Sequence, residues 1–283
     1  MVEQFGPEGT TRVLIDSSPD LRTQLLTAQV GTLDAVVYTH AHADHVHGLD
    51  DLRMIVINMR RRLPVWADDP TKSDLLSRFS YAFETPKGSS YPPILEMNDI
   101  TAPFTITGAG GALDFTPIEV AHGTITALGF RIGDMAYLPD VSDIPQSAWS
   151  HLQGLDLWIV DALRYDPHPS HTHLEQTLQW IARVQPKRSI LTNMHVDLDY
   201  ATLQTELPCG GGCGGGGGGG GWLVGWLAGW LVGWLAGWVC DVVVWHCVVC
   251  RVCGVRVVCD AWRVQSGVCA AFMRCVRCAL YVV

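Results

Sequence analysis

Cysteine is missing from the first 208 residues of this 283-residue chain, and all ten cysteines fall after Pro208. The chemistry of that first stretch therefore has to come from other side chains. Lysine is nearly missing as well, with three in the whole chain, all before Pro208. Residues 1–208 carry 14 Lys+Arg against 26 Asp+Glu, a net charge of −12, while the remainder carries 5 against 2, a net of +3. An acidic body without a basic stripe excludes a general nucleic-acid binder, whose affinity rests on cations neutralising phosphates. The segment Met1-Val2-Glu3-Gln4-Phe5-Gly6-Pro7 lacks a cationic region followed by an apolar core, so no signal peptide is read and a cytoplasmic location is the expectation. No Gly-x-Ser-x-Gly elbow occurs, so no serine triad is supported.

Against these absences stands the run His40-Ala41-His42-Ala43-Asp44-His45, directly after the apolar stretch 34–39. Three imidazoles and a carboxylate this close cannot all reach one ion. On a loop leaving a buried strand they can diverge toward two neighbouring ions, and zinc, manganese and iron accept such nitrogen and oxygen sets. His47 reads as solvent-facing or as a residue that orients a ligand from behind. The Arg60-Arg61-Arg62 run reads as a solvated helix terminus, since cations offset the dipole there.

The pattern predicts a strand over 11–16, a helix from Ser18-Pro19-Asp20 to about Ala28, the ligand-bearing strand, a helix over 48–61, a strand over 63–67 and a helix over 71–83. Residues 104–140 turn to β, with Gly108-Ala109-Gly110-Gly111 as a hairpin loop rather than a nucleotide cradle. Alternation then resumes with a strand over 155–160, a helix over 172–184 started by the capping-box spacing of Thr172 and Glu175, a strand over 189–194 and a helix over 198–207. The sum is an α/β layered architecture. His122, Asp140 and His195 each follow an apolar strand, where α/β sheets place their chemistry, and complete one constellation with the His40 run.

Taken together, these residues resemble the metallo-β-lactamase fold superfamily. Within it, the 39–53 stretch and Ser170-His171-Thr172-His173-Leu174 are most similar to the phosphoribosyl cyclic phosphate phosphodiesterase group, over about residues 11–208. The resemblance implies an αββα sandwich lacking the usual first strand, and a hydrolase domain over 1–208. It implies that His40, His42 and His122 hold one ion, that Asp44, His45 and His195 hold the other, and that Asp140 bridges them, with Asp44 also counted among the catalytic groups. Asp16 and Asp161, each ending a strand, would orient this set or serve as plain strand-end carboxylates.

Two divalent ions, zinc or manganese, held roughly 3.5–4 Å apart can share a hydroxide and clamp phosphoryl oxygens as charge builds. The leaving alkoxide needs a proton, and a histidine is the natural donor. His171 is the first choice by its match to the family position, and His173 the second, with a place among the substrate contacts. Arg53 and Arg164 are candidate contacts for a substrate phosphate, and surface salt bridges explain them equally. The expected partner is a small cyclic phosphodiester. A lactone, a thioester or a tRNA 3′ end are the alternatives on the same fold, an inactive truncated or frameshifted product is a further one, and a homodimer is compatible with the sequence.

After Pro208 the composition breaks. A Gly/Cys-rich segment spans 209–221, and a Trp/Val/Cys-rich tail spans 222–283, with no Ile, Asn, Thr, Lys, Glu or Pro. The uncharged nineteen residues 222–240, with glycine at every fourth position, have the length of a membrane anchor. Cys247-x-x-Cys250-x-x-Cys253 and Cys275-x-x-Cys278 raise a metal or iron–sulfur module. The near-perfect four-residue repeat and the missing residue types favour a third reading, a shifted reading frame rather than a native domain.

Overall fold

The computed structural model describes residues 1–207, 221–224 and 255–257. In chain order the elements are β1 (Val2–Gly6), β2 (Gly9–Ile15), α1 (Leu21–Thr27), β3 (Ala35–Val37), α2 (Ala43–Val46), α3 (Leu52–Met59), β4 (Leu63–Ala67), α4 (Asp69–Phe83), β5 (Leu95–Asp99), β6 (Phe104–Gly108), β7 (Gly111–His122), β8 (Ile125–Ile132), β9 (Met135–Leu138), β10 (Leu157–Asp161), α5 (Leu174–Val184), β11 (Arg188–Thr192), α6 (Tyr200–Glu206), β12 (Gly221–Val224) and β13 (Val255–Val257).

Two sheets result, ordered β13-β1-β2-β3-β4-β5 and β12-β11-β10-β9-β8-β7-β6. In the first, β1 and β2 form an antiparallel hairpin and β2 to β5 run parallel. In the second, β6 to β9 are antiparallel and β9 to β12 parallel. The two-residue period of each strand sends alternate side chains to different layers. Val13 and Ile15 of β2, Leu157 and Ile159 of β10 and Phe115 and Phe130 fill the space between the sheets. Leu14, Val36 and Val65 face α1, α3 and α4, while Trp158, Val160 and Leu191 face α5 and α6. The architecture is an αββα sandwich, as the sequence implies.

Several expectations change. β1 was not foreseen as a strand, and it pairs with β2 on one side and β13 on the other. β5 was also missed, because its sequence Leu95-Glu-Met-Asn-Asp99 has neither β-branched residues nor a clean apolar run. The capping box at Thr172 does not form. α5 begins one residue later with His173 at its N-cap and no side-chain cap, and the Thr172 hydroxyl instead accepts from Thr177 at 3.2 Å in a buried contact. Arg60, Arg61 and Arg62 are exposed at the end of α3, as expected, and the last two also have partners: Arg62 donates to the carbonyls of Leu95 and Phe83, and Arg61 pairs with Asp34 at 3.3 Å.

The glycine loop 108–111 is the hairpin turn between β6 and β7. Glycine is needed at 110, since a Cβ there would stand 1.8 Å from the Gln4 carbonyl oxygen. This approach docks the second sheet on the β1–β2 hairpin, where the Thr11 hydroxyl donates to the Gly111 carbonyl at 2.7 Å.

Among the described residues no helix is long and apolar enough to cross a membrane. Residues 222–224 of the suggested anchor are extended in β12. The rest of that stretch and the cysteine motifs lie outside the described residues.

Candidate metal centre

The C-terminal ends of β2, β3, β7, β9, β10 and β11 meet at one rim of the sandwich and supply the polar groups. Asp16 follows β2 with φ of +59°, a left-handed conformation that Asp tolerates better than most residues. Its side chain is fully buried, and it accepts from the Thr39 backbone N–H at 2.8 Å and the Thr39 hydroxyl at 2.8 Å. Its Oδ2 also accepts from His45 Nδ1 at 2.8 Å. Asp16 thus ties the strand end before the histidine run to the ring that closes it, leaving His45 Nε2 free to act as a ligand.

Ligand atoms of His40, His42, His122 and Asp140 lie within 4.8 Å of one another. His42 Nδ1 and His122 Nε2 are 3.1 Å apart, and Asp140 Oδ2 is 3.5 Å from His122 Nε2 and 3.7 Å from His40 Nε2. His122 donates from Nδ1 to the Ser170 carbonyl at 2.6 Å, which fixes Nε2 as its free lone pair. His40 Nε2 is buried without a hydrogen-bond partner. A buried, unpartnered imidazole nitrogen beside two more nitrogens and a carboxylate fits a divalent cation, and these residues are a candidate metal site.

Charge among these side chains is distributed accordingly. Burial first, and then the neighbouring His45, push His40 down to about 2 against the pull of Asp140. Burial likewise disfavours charge on His45, but Asp16 and Asp140 outweigh it and hold its pKa well above the ordinary value. Burial raises Asp140, yet His45, His40 and His171 together bring it below the usual carboxylate range.

Beside Asp140, His45 Nε2 lies 3.3 Å from Oδ1 and 3.6 Å from Asp44 Oδ2, whose side chain is 71% exposed. His171 Nε2 lies 3.9 Å from Asp140 Oδ2, and its Nδ1 donates to Asp161 Oδ2 at 2.8 Å. Asp161 is fully buried at the end of β10 and also accepts from the Val141 N–H at 3.1 Å. Burial opposes charge on the His171 ring, and Asp161, Asp140 and Asp44 overcome it, so the ring keeps its proton above the ordinary histidine range.

Other expected residues stand elsewhere. His195 is not in the four-residue cluster: its Nδ1 pairs with Asp197 at 3.0 Å and its side chain is 51% exposed. His47 is exposed and stacks edge-on with Phe79, 6.2 Å between centroids. Arg164 donates to the carbonyls of Asp166 and Pro167 at 3.1 and 2.8 Å, bracing its own loop. Arg53 is half-buried beside Tyr81. His173 is the half-buried N-cap of α5, and its carbonyl accepts from Thr177.

Sequence reading missed Asn193, which donates to Asp140 Oδ1 at 3.3 Å from a φ of +62°. Its place directly after a strand, in a backbone conformation asparagine adopts readily, was the available signal. Arg78 was missed too. It donates to the carbonyl of Ala41, between His40 and His42, at 2.6 Å from a helix 37 residues later, and nothing local marks it.

A profile of the beta-lactamase superfamily domain matches residues 11–194. The chain belongs to the beta-lactamase superfamily. Within the superfamily, it is similar to a crystal structure of a diphosphatase from the PhnP family at 32% identity and a TM-score of 0.64, over 75% of this chain and 76% of that one. The fold is shared with the metallo-β-lactamase fold protein YhfI of Bacillus subtilis, at 18% identity and a TM-score of 0.55 over 72% and 90% of the two chains. It is shared also with zinc-bound PqqB of Methylobacterium extorquens, at 15% identity and a TM-score of 0.56 over 75% and 80%. A curated octanoyltransferase of Porphyromonas gingivalis (strain ATCC BAA-308 / W83) is 37% identical over 188 residues, 65% of this chain and 36% of that protein. The chain therefore spans about a third of the length of that relative. As in the superfamily at large, this chain is an enzyme with a candidate site for divalent metal.

Proposed function

We propose that this enzyme is a binuclear metal-dependent phosphodiesterase acting on a small cyclic phosphodiester. The observation that carries the reading is the placement of His171, oriented by buried Asp161, 3.9 Å from the Asp140 carboxylate. A metal cluster with a positioned proton donor at its edge suits displacement of an alkoxide. The likeness to a PhnP-family diphosphatase supports a phosphoryl substrate.

His40, His42, His122 and Asp140 would hold one ion, zinc or manganese. Asp44, His45, His195 and Oδ1 of Asp140 would hold a second ion. Bound divalent ions supply an activated water and charge stabilisation for phosphoryl oxygens. The chain's own residues do the rest. Asp161 fixes the ring of His171 through Nδ1, so that Nε2 faces the site and delivers a proton to the leaving oxygen. Asn193 steadies Asp140 by donating to one of its oxygens, and Asp16 holds the histidine loop.

Metal analysis of the purified protein together with turnover of bis-p-nitrophenyl phosphate tests the reading. Asp140→Ala is expected to lose both bound metal and turnover, and wild-type protein that carries no metal would overturn it. Panels of lactone, thioester (octanoyl included) and tRNA 3′ ends separate the substrate alternatives.

A further inference from the structure

Ser170 links two histidines of opposite tautomer. Its carbonyl accepts from Nδ1 of His122 at 2.6 Å, so that ring carries its proton on Nδ1. Its backbone N–H meets Nδ1 of His168 at 3.3 Å, and its hydroxyl meets the same nitrogen at 3.2 Å. An amide N–H can only donate, so Nδ1 of His168 is an acceptor and the proton of the neutral ring lies on Nε2.

The loop bearing His168 is built to hold this geometry. Arg164 closes it through the carbonyls of Asp166 and Pro167. The left-handed Gly123 lets it approach the end of β7, since a Cβ there would stand 2.9 Å from Ser170 Cβ. The His168 ring is partly exposed, with its centroid 5.3 Å from that of His171. It is a fixed N–H donor next to the proton-donating histidine and outside the ligand set.

We propose that His168 Nε2–H is a substrate contact, donating a hydrogen bond to an anionic phosphoryl oxygen, with Ser170 as the residue that positions it. The proposal rests on the phosphodiesterase reading for its substrate class. A neutral N–H donor binds a phosphate oxygen without delivering its proton, which separates its role from that of His171. A hydrogen bond to a charged group of this kind corresponds to about 10- to 100-fold in affinity.

Two measurements on the full-length, zinc-loaded protein decide it. Nitrogen-15 spectra of labelled histidine should show His168 as the Nε2–H tautomer at neutral pH, and an Nδ1–H tautomer overturns the assignment. Calorimetric binding of inorganic phosphate should weaken about 10- to 100-fold in His168→Ala, with zinc content and Tm unchanged, and return to within a few-fold of wild type in His168→Gln, whose amide restores a donor. Unchanged phosphate affinity in His168→Ala, or no phosphate binding by the wild type, refutes the contact. Phosphate binding that depends on His168 in a protein turning over no phosphodiester would sink the hydrolase reading while upholding the contact.

Discussion

The Oδ2 atom of Asp16 lies 2.8 Å from Nδ1 of His45, and the carboxylate that makes this contact has no solvent exposure. The pair joins the first long strand to the far end of the ligand loop, across 29 residues of sequence. Asp16→Asn keeps the left-handed backbone tolerable but puts an amide nitrogen where an acceptor is needed. Metal affinity is expected to fall about 10- to 100-fold, as for other residues that orient metal-binding histidines. Competition with a chelating dye measures this, and an affinity equal to wild type would remove Asp16 from the role.

His40 sets an acid limit on the metal-free protein. Its folded pKa is depressed to about 2, so below about 6.5 the unfolded chain takes up a proton that the folded chain refuses. Stability is therefore full above 6.5 and declines as pH falls through the window from 6.5 toward 2, by up to about 1.4 kcal/mol per unit for this one group. His45, shifted the other way, is protonated in both states in the lower part of that window and adds little slope there. Denaturant melts of chelator-treated protein at pH 7, 6 and 5 should show the decline. His40→Gln should flatten it.

Removal of His171 should hurt most where the leaving group is poor. General-acid catalysis contributes typically about 10²- to 10⁴-fold. His171→Ala should thus lose about that much kcat on a cyclic phosphodiester with an alkoxide leaving group, and far less on bis-p-nitrophenyl phosphate, whose phenolate leaves unaided. Asp161→Asn should reproduce the pattern in weaker form. Equal losses on both substrates would assign His171 to something other than proton delivery.

The core between the sheets is dominated by an aromatic cluster. Phe115 has no exposure and stacks on Phe104 at 5.2 Å and edge-on to Phe130 at 5.9 Å. Phe115→Ala is expected to cost about 3–5 kcal/mol by urea denaturation, since a rigid two-sheet interface closes poorly over the void. A loss below about 1 kcal/mol would mean that the sheets repack freely.

Much of this site was legible because its chemistry is written in local runs. Six residues from His40 to His45 carry four candidate ligands, His122 closes β7 and Asp140 stands two residues after β9, and both strands have a plain apolar pattern. What escaped depends on backbone geometry or on distance. Asn193 matters because a positive φ turns its amide onto Asp140, and Arg78 matters because α4 crosses the loop, neither of which leaves a periodic trace. His195, placed after β11, pairs its Nδ1 with Asp197. The predicted cap at Thr172 failed because that hydroxyl meets Thr177 in a buried contact.

His40 leaves one sheet, and His122 and Asp140 leave the other. A cation gripped by all three acts as a clasp across the sandwich, and the two halves cannot drift apart without releasing it. Loading should therefore slow hydrogen exchange at amides of β3 and β7 by a common factor, set by ligand concentration over Kd, although the two strands belong to different sheets.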